Sequence, residues 1–124
     1  MAQAKFDRLL EQVLAELPDH IYRLLDEMPL VVEDEPSIDL LEELGLDPDT
    51  DDLCGLYSGQ PLTERSNQQS GELPDKIQIF RGPIVRLARS EGKDLKSEIR
   101  ITVLHEIGHY FGLDEDQLKA LGYA

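Results

Sequence analysis

The chain has 124 residues, 40% of them hydrophobic and 31% charged. That fits one soluble globular domain, residues 1–124, and leaves no room for a second core. Twelve basic against 26 acidic side chains give a formal net charge of −14, so a phosphate backbone is repelled and nucleic acid is a poor partner. No apolar run approaches the roughly 20 residues that span a bilayer, which speaks against a membrane partner.

The opening MAQAKFDRLLEQVL carries acids at an amphipathic period, where a signal peptide would show a basic end and an unbroken apolar stretch. Cys54 is the one cysteine and has no internal disulfide partner, which agrees with a reducing compartment. The expectation is a cytoplasmic protein, and Cys54 reads as a small core residue.

The spacing of Phe6, Leu9, Leu10, Val13, Leu14 and Leu17 predicts a helix over 4–17. Pro18 ends it, and a short helix follows over 19–27. After Pro29, the β-branched run Leu30, Val31, Val32 predicts a strand. A short helical piece is expected over 39–44, closed by Gly45. Asp47, Asp49 and Asp51 alternate as in a calcium loop. Asp52 stands at the sixth position and Ser58 at the twelfth, where such loops need Gly and Glu, so a solvated acidic turn is the better reading.

Residues 53–57 form a candidate strand. The polar, turn-rich stretch 63–75 is expected to be a mobile loop between strands. Lys76–Phe80 alternates Ile77 and Ile79 with Lys76 and Gln78, the pattern of a half-buried strand. Gly82-Pro83 breaks it, and Pro83 opens a short helix through Leu87. Ser90, Glu91 and Gly92 make a turn. The last long helix begins at the N-cap Asp94 and runs to Phe111. Leu95, Ile99, Val103, Ile107 and Phe111 line one stripe, while Ile101, Leu104 and Gly108 make a second face apolar or small, so the helix is buried. A short helix over 114–122 closes the chain.

Within the long helix sits LHEIGHYFGLDED. His105 and His109 are one helical turn apart on one face, about 6 Å along the axis. Two such nitrogens can reach one zinc ion at about 2.0–2.1 Å. Glu106 points about 100° around the helix, beside the metal, where it can take a proton from an activated water. Water alone is a poor nucleophile toward an amide, and zinc supplies the missing activation.

A catalytic site needs three protein ligands and an open position. Gly112 can end the helix in a left-handed conformation and bring back Leu113, Asp114, Glu115 and Asp116. The elongated form of the motif places its third ligand three residues after this glycine, which is Glu115 here. Asp114 and Asp116 are neighbouring alternatives, and Asp116 can instead cap the last helix. Two core histidines on an apolar helix are the plain alternative. A buried His-Glu-x-x-His is costly without a partner to satisfy it. Tyr57, Tyr110 and Tyr123 are candidate oxyanion donors or simply packing residues. His20 reads as an ordinary helix residue. Arg81 and Arg86 are expected to pair with acids.

HEIGHYFGLDEDQL, preceded by IQIFRGPI and CGLYSGQPLTERS, resembles the small bacterial zincin-like metallopeptidases, also called minimal zincins. The resemblance runs from PLVVEDEPS onward. It implies an α+β domain: a small mixed sheet, N-terminal helices and a C-terminal active-site helix bearing HExxH. It implies one zinc ion at His105 and His109, Glu106 as general base and an acidic third ligand after Gly112. The family more often shows Asp at that position, whereas this chain has Glu115. In zincins an edge strand pairs with the peptide substrate, and Ile77, Gln78 and Ile79 are the candidates. The expected function is zinc-dependent hydrolysis of a peptide or protein substrate. The alternative is a binding or regulatory protein that keeps the fold and the metal but does not cleave.

Overall fold

The structure is a computed structural model that describes residues 2–59 and 75–123. Nearly all of the expected loop 63–75 lies outside them. Among the described residues the elements run α1 (Ala2–Ala15), α2 (Asp19–Tyr22), a 3₁₀ turn (Arg23–Asp26), β1 (Leu30–Glu33), α3 (Ile38–Glu43), β2 (Gly55–Ser58), β3 (Lys76–Phe80), α4 (Arg81–Glu91), α5 (Leu95–Tyr110) and α6 (Glu115–Ala120). This is the mixed α+β architecture expected from the sequence. No helix among these residues is long and apolar enough to cross a membrane.

The three strands form one mixed sheet in the order β1-β3-β2. β1 runs parallel to β3, with Leu30 opposite Ile77, and β2 runs antiparallel to it, with Tyr57 opposite Ile77. β3 is therefore the central strand. The expectation that Ile77, Gln78 and Ile79 form a substrate-pairing edge is wrong, because β1 and β2 take the ladder on either side. Alternation is a weak guide here: it reports one buried face, and that face exists in central and edge strands alike. Among the described residues the edge strand nearest the histidines is β2.

Ile77 and Ile79 are fully buried and meet Phe6, Leu10 and Val13 of α1, Ile84 of α4, and Ile99, Val103 and Ile107 of α5 in one core. The α1 stripe read from the sequence is the stripe that is buried. Helix α4 departs from expectation. It starts at Arg81 directly after the strand and continues through Ser90 and Glu91 to a left-handed Gly92, φ 63°. Gly82 and Pro83 do not delay it, because the first-turn N–H groups have no intrahelical acceptor and a proline there loses nothing.

Helix α5 begins as predicted, with the Asp94 carboxylate accepting from Ser97 N. Its second buried face is a surprise. Besides Ile99, Val103 and Ile107, the buried set includes Glu98, Thr102 and Glu106, a polar row at successive four-residue steps. Ile101 and Leu104, expected on that face, are only half-buried, and Phe111 is exposed. Gly55 allows β2 to lie close over this row. A β-carbon there would meet Thr102 Cγ2 at 2.9 Å and Glu106 Cγ at 3.2 Å.

Candidate functional site

Helix α5 carries His105, Glu106 and His109. The two imidazoles stand one turn apart, ring centroids 4.7 Å apart and nearly perpendicular. Gly112 adopts φ 87°, and the chain reverses there. Gly112 N donates to His109 O and Leu113 N to Gly108 O, the paired bonds of a glycine-terminated helix end. Asp114 then caps α6. Its side chain accepts from Gln117 N, and the Gln117 side chain accepts from Asp114 N. Of the three acids left open by the sequence, the capping role falls to Asp114 rather than Asp116.

The cap fixes the first residue of α6, Glu115, over the histidines. Leu118 seats the helix. It is fully buried, and its Cδ2 lies where a β-carbon on Gly108 would stand. Glu115 Oε1 comes to 3.0 Å from His109 Nε2 and 3.3 Å from His105 Nε2, and the two Nε2 atoms lie 3.1 Å apart.

The other ring nitrogens settle what these contacts mean. His105 Nδ1 lies 2.6 Å from Tyr123 O, and His109 Nδ1 lies 3.2 Å from Leu113 O. A backbone carbonyl only accepts, so each Nδ1 carries a proton, and in the neutral form of the ring each Nε2 then presents a lone pair. Two lone pairs and a carboxylate oxygen then face one another within hydrogen-bond distance, an arrangement that calls for a cation among them. Around an ion bound tetrahedrally at about 2.0–2.1 Å, neighbouring donors are about 3.3 Å apart. The observed separations fit such an ion, and His105, His109 and Glu115 are the group among the described residues that could hold a metal.

Glu106 lies beside this group and under β2, only 6% exposed. Its Oε1 accepts from Tyr57 N at 2.9 Å, and its Oε2 faces His105 Nε2 at 3.9 Å. Burial pushes its carboxyl above the usual range, and the hydrogen bond from Tyr57 N–H offsets part of that rise. A raised carboxylate pKa makes a stronger base. The site opens into a cleft of about 640 Å³ lined by Gly55, Leu56, Tyr57, Glu106 and the three donors.

A family model of zincin-like metallopeptidases matches residues 25–123. The chain belongs to the zincin-like metallopeptidase family. No curated protein matches the sequence. Membership in the zincin-like family implies a bound metal, and the His-His-Glu group offers a place for one.

The remaining candidates sort by their contacts. Tyr57 donates its hydroxyl to Asp75 at 2.6 Å and packs edge-on against Tyr110. Tyr123 serves through its backbone carbonyl, not its phenol. His20 is exposed on α2, away from the cleft. Arg81 pairs with Asp7 and Asp34, and Arg86 with Glu35 and Asp52, as expected. The acidic run closes on itself through Asp47 N to Asp51 and Asp49 N to Asp47. Three parts of the site were not read from sequence: the Tyr57 N–H and the Tyr123 and Leu113 carbonyls. Backbone groups leave no signature in residue type. Glu98 was missed as well, although its spacing to Thr102 and Glu106 is visible.

Proposed function

We propose that the protein is a zinc-dependent peptidase, with His105, His109 and Glu115 as metal ligands and Glu106 as general base. The observation that carries the reading is the convergence of three lone-pair donors, two from α5 and one from α6, beside a buried carboxylate of α5. Bound there, zinc supplies a Lewis acid that activates water near neutral pH and polarises the scissile carbonyl.

The chain's own groups carry the proton. Tyr57 N–H holds Oε1 of Glu106, which leaves Oε2 directed at His105 Nε2. Oε2 takes a proton from the attacking water and later delivers it to the leaving amine. Tyr123 O and Leu113 O keep the ring protons on Nδ1 throughout, so both Nε2 atoms remain donors to the metal. Glu115 is largely exposed, so the cleft side of the site stays open to substrate. A purely structural zinc takes four protein ligands, and three converge among the described residues.

β2 lies along the cleft and is an edge strand among the described residues. A substrate in extended conformation can pair with its outer edge near Gly55 by backbone hydrogen bonds. Metal analysis of the purified protein, joined to a screen of mixed peptides, tests the proposal. One zinc per chain with cleavage supports it. One zinc without cleavage by the zinc-loaded protein favours a metal-bearing binding protein instead.

A further inference from the structure

A second cavity, of about 250 Å³, adjoins the cleft and shares Gly55, His105 and Glu106 with it. Its walls include Leu87, Ile101 and Cys54. Glu98 lies two turns before Glu106 on α5, about 12 Å along the axis, and also lines this cavity. Glu98 is 3% exposed, and its Oε1 is buried without a hydrogen-bond partner. The nearby Thr102 hydroxyl does not serve it, since it donates to the Glu98 backbone carbonyl. Among the described residues Lys93 is the cation paired with Glu98. It is half-exposed and stands 3.6 Å from that same Oε1, beyond hydrogen-bond distance, and 3.5 Å from Glu91, held between the two.

A buried carboxylate without hydrogen bonds is costly, and a substrate group that satisfies it gains by the same measure. Apolar walls leading to a carboxylate suit a long aliphatic stem with a cationic head. Glu91, Glu98 and Glu106 outnumber Lys93 around the cavity. The Cys54 thiol on its wall feels the same field: burial first, then Asp52 and Glu98, push it up to about 11.

We propose that this cavity is a specificity pocket for a lysine or arginine side chain of the peptide substrate, with Glu98 as its counter-ion. The inference rests on the peptidase reading for the class of substrate. The arriving cation takes the place of Lys93, which swings to Glu91.

The test uses zinc-loaded protein carrying Glu106→Gln, which removes hydrolysis from the readout. The probes are blocked alanine hexapeptides with arginine, norleucine or glutamate placed at each position in turn, and calorimetry reports binding. Arginine at one position is expected to bind at least tenfold tighter than norleucine there, with glutamate weaker still. Adding Glu98→Gln should bring that ratio to within about twofold. Adding Lys93→Met should raise arginine affinity severalfold, and it decides the matter if the Glu98 variant does not fold. Equal binding of the three residues at every position overturns the inference. So does an arginine preference that is the same at all positions, which reports only the charge of −14, or one that survives Glu98→Gln. Wild-type hydrolysis of the bound peptides is read separately. Arginine-selective binding without cleavage keeps the pocket and removes the peptidase. Cleavage without arginine preference does the reverse.

Discussion

Nδ1 of His105 lies 2.6 Å from the backbone carbonyl oxygen of Tyr123. The contact ties the first histidine of the motif to a residue 18 positions later, beyond the last helix. It fixes the ring and its tautomer, and such partners typically contribute 10- to 100-fold to metal affinity. A chain ending at Leu121 should keep its core and lose zinc affinity by about that factor, measured by competition with a chelator. Unchanged affinity would show that the ring needs no such support.

Glu115, Asp114 and Asp116 are adjacent acids with different tasks. Glu115→Ala should lower zinc affinity by orders of magnitude, since it removes a direct donor. Asp114→Ala removes the α6 cap and should cost about 1 kcal/mol of stability, with a smaller loss of zinc affinity. Asp116→Ala should change neither by much. A larger zinc defect in the Asp116 variant than in the Glu115 variant would reassign the third donor.

Leu118 joins α6 to α5 across Gly108. Leu118→Ala opens a cavity in a fully buried site and should cost about 2–5 kcal/mol in urea unfolding. Because Leu118 seats the helix that carries Glu115, zinc affinity should fall as well, measured under conditions where the variant is fully folded. A destabilised variant with wild-type zinc affinity would uncouple helix seating from the donor.

Cys54 provides a pH signature. Burial and then the nearby acids push its thiol from 9.0 to about 11, so the folded chain holds this proton more tightly than the unfolded chain. The stability it contributes is full below pH 9 and is lost as pH rises toward 11. Compared by urea midpoint, wild type should therefore lose more stability than Cys54→Ala between pH 9 and 11. The thiol should also alkylate slowly at pH 8, because little thiolate is present. Parallel pH profiles for the two proteins would exclude the shift.

The helices were legible because apolar period and caps are local signals. Phe6, Leu10 and Val13 marked α1, and Asp94 marked the start of α5. The motif pair His105 and His109, with Glu106 between, was legible for the same reason: one helical turn sets their relation. Strand order was not legible. Ile77 and Ile79 alternate in the same way whether β3 has one neighbour or two, so its central place had to come from the pairings with β1 and β2. Choosing Glu115 over its neighbours depended on which acid caps α6, and cap geometry is tertiary. The polar row Glu98, Thr102, Glu106 was hidden by the apolar residues interleaved with it, which made α5 read as buried without showing what it was buried against.

Glu106 separates metal binding from chemistry most cleanly, because it lies beside the donor group rather than in it. Wild type and Glu106→Gln, both zinc-loaded and compared on one cleaved peptide, test the central claim directly. The expected result is one zinc per chain in both proteins and a fall in kcat/KM of about 10²–10⁴-fold in the variant, the range for loss of a general base. Cleavage by Glu106→Gln at the wild-type rate would contradict the assignment of Glu106 as the base.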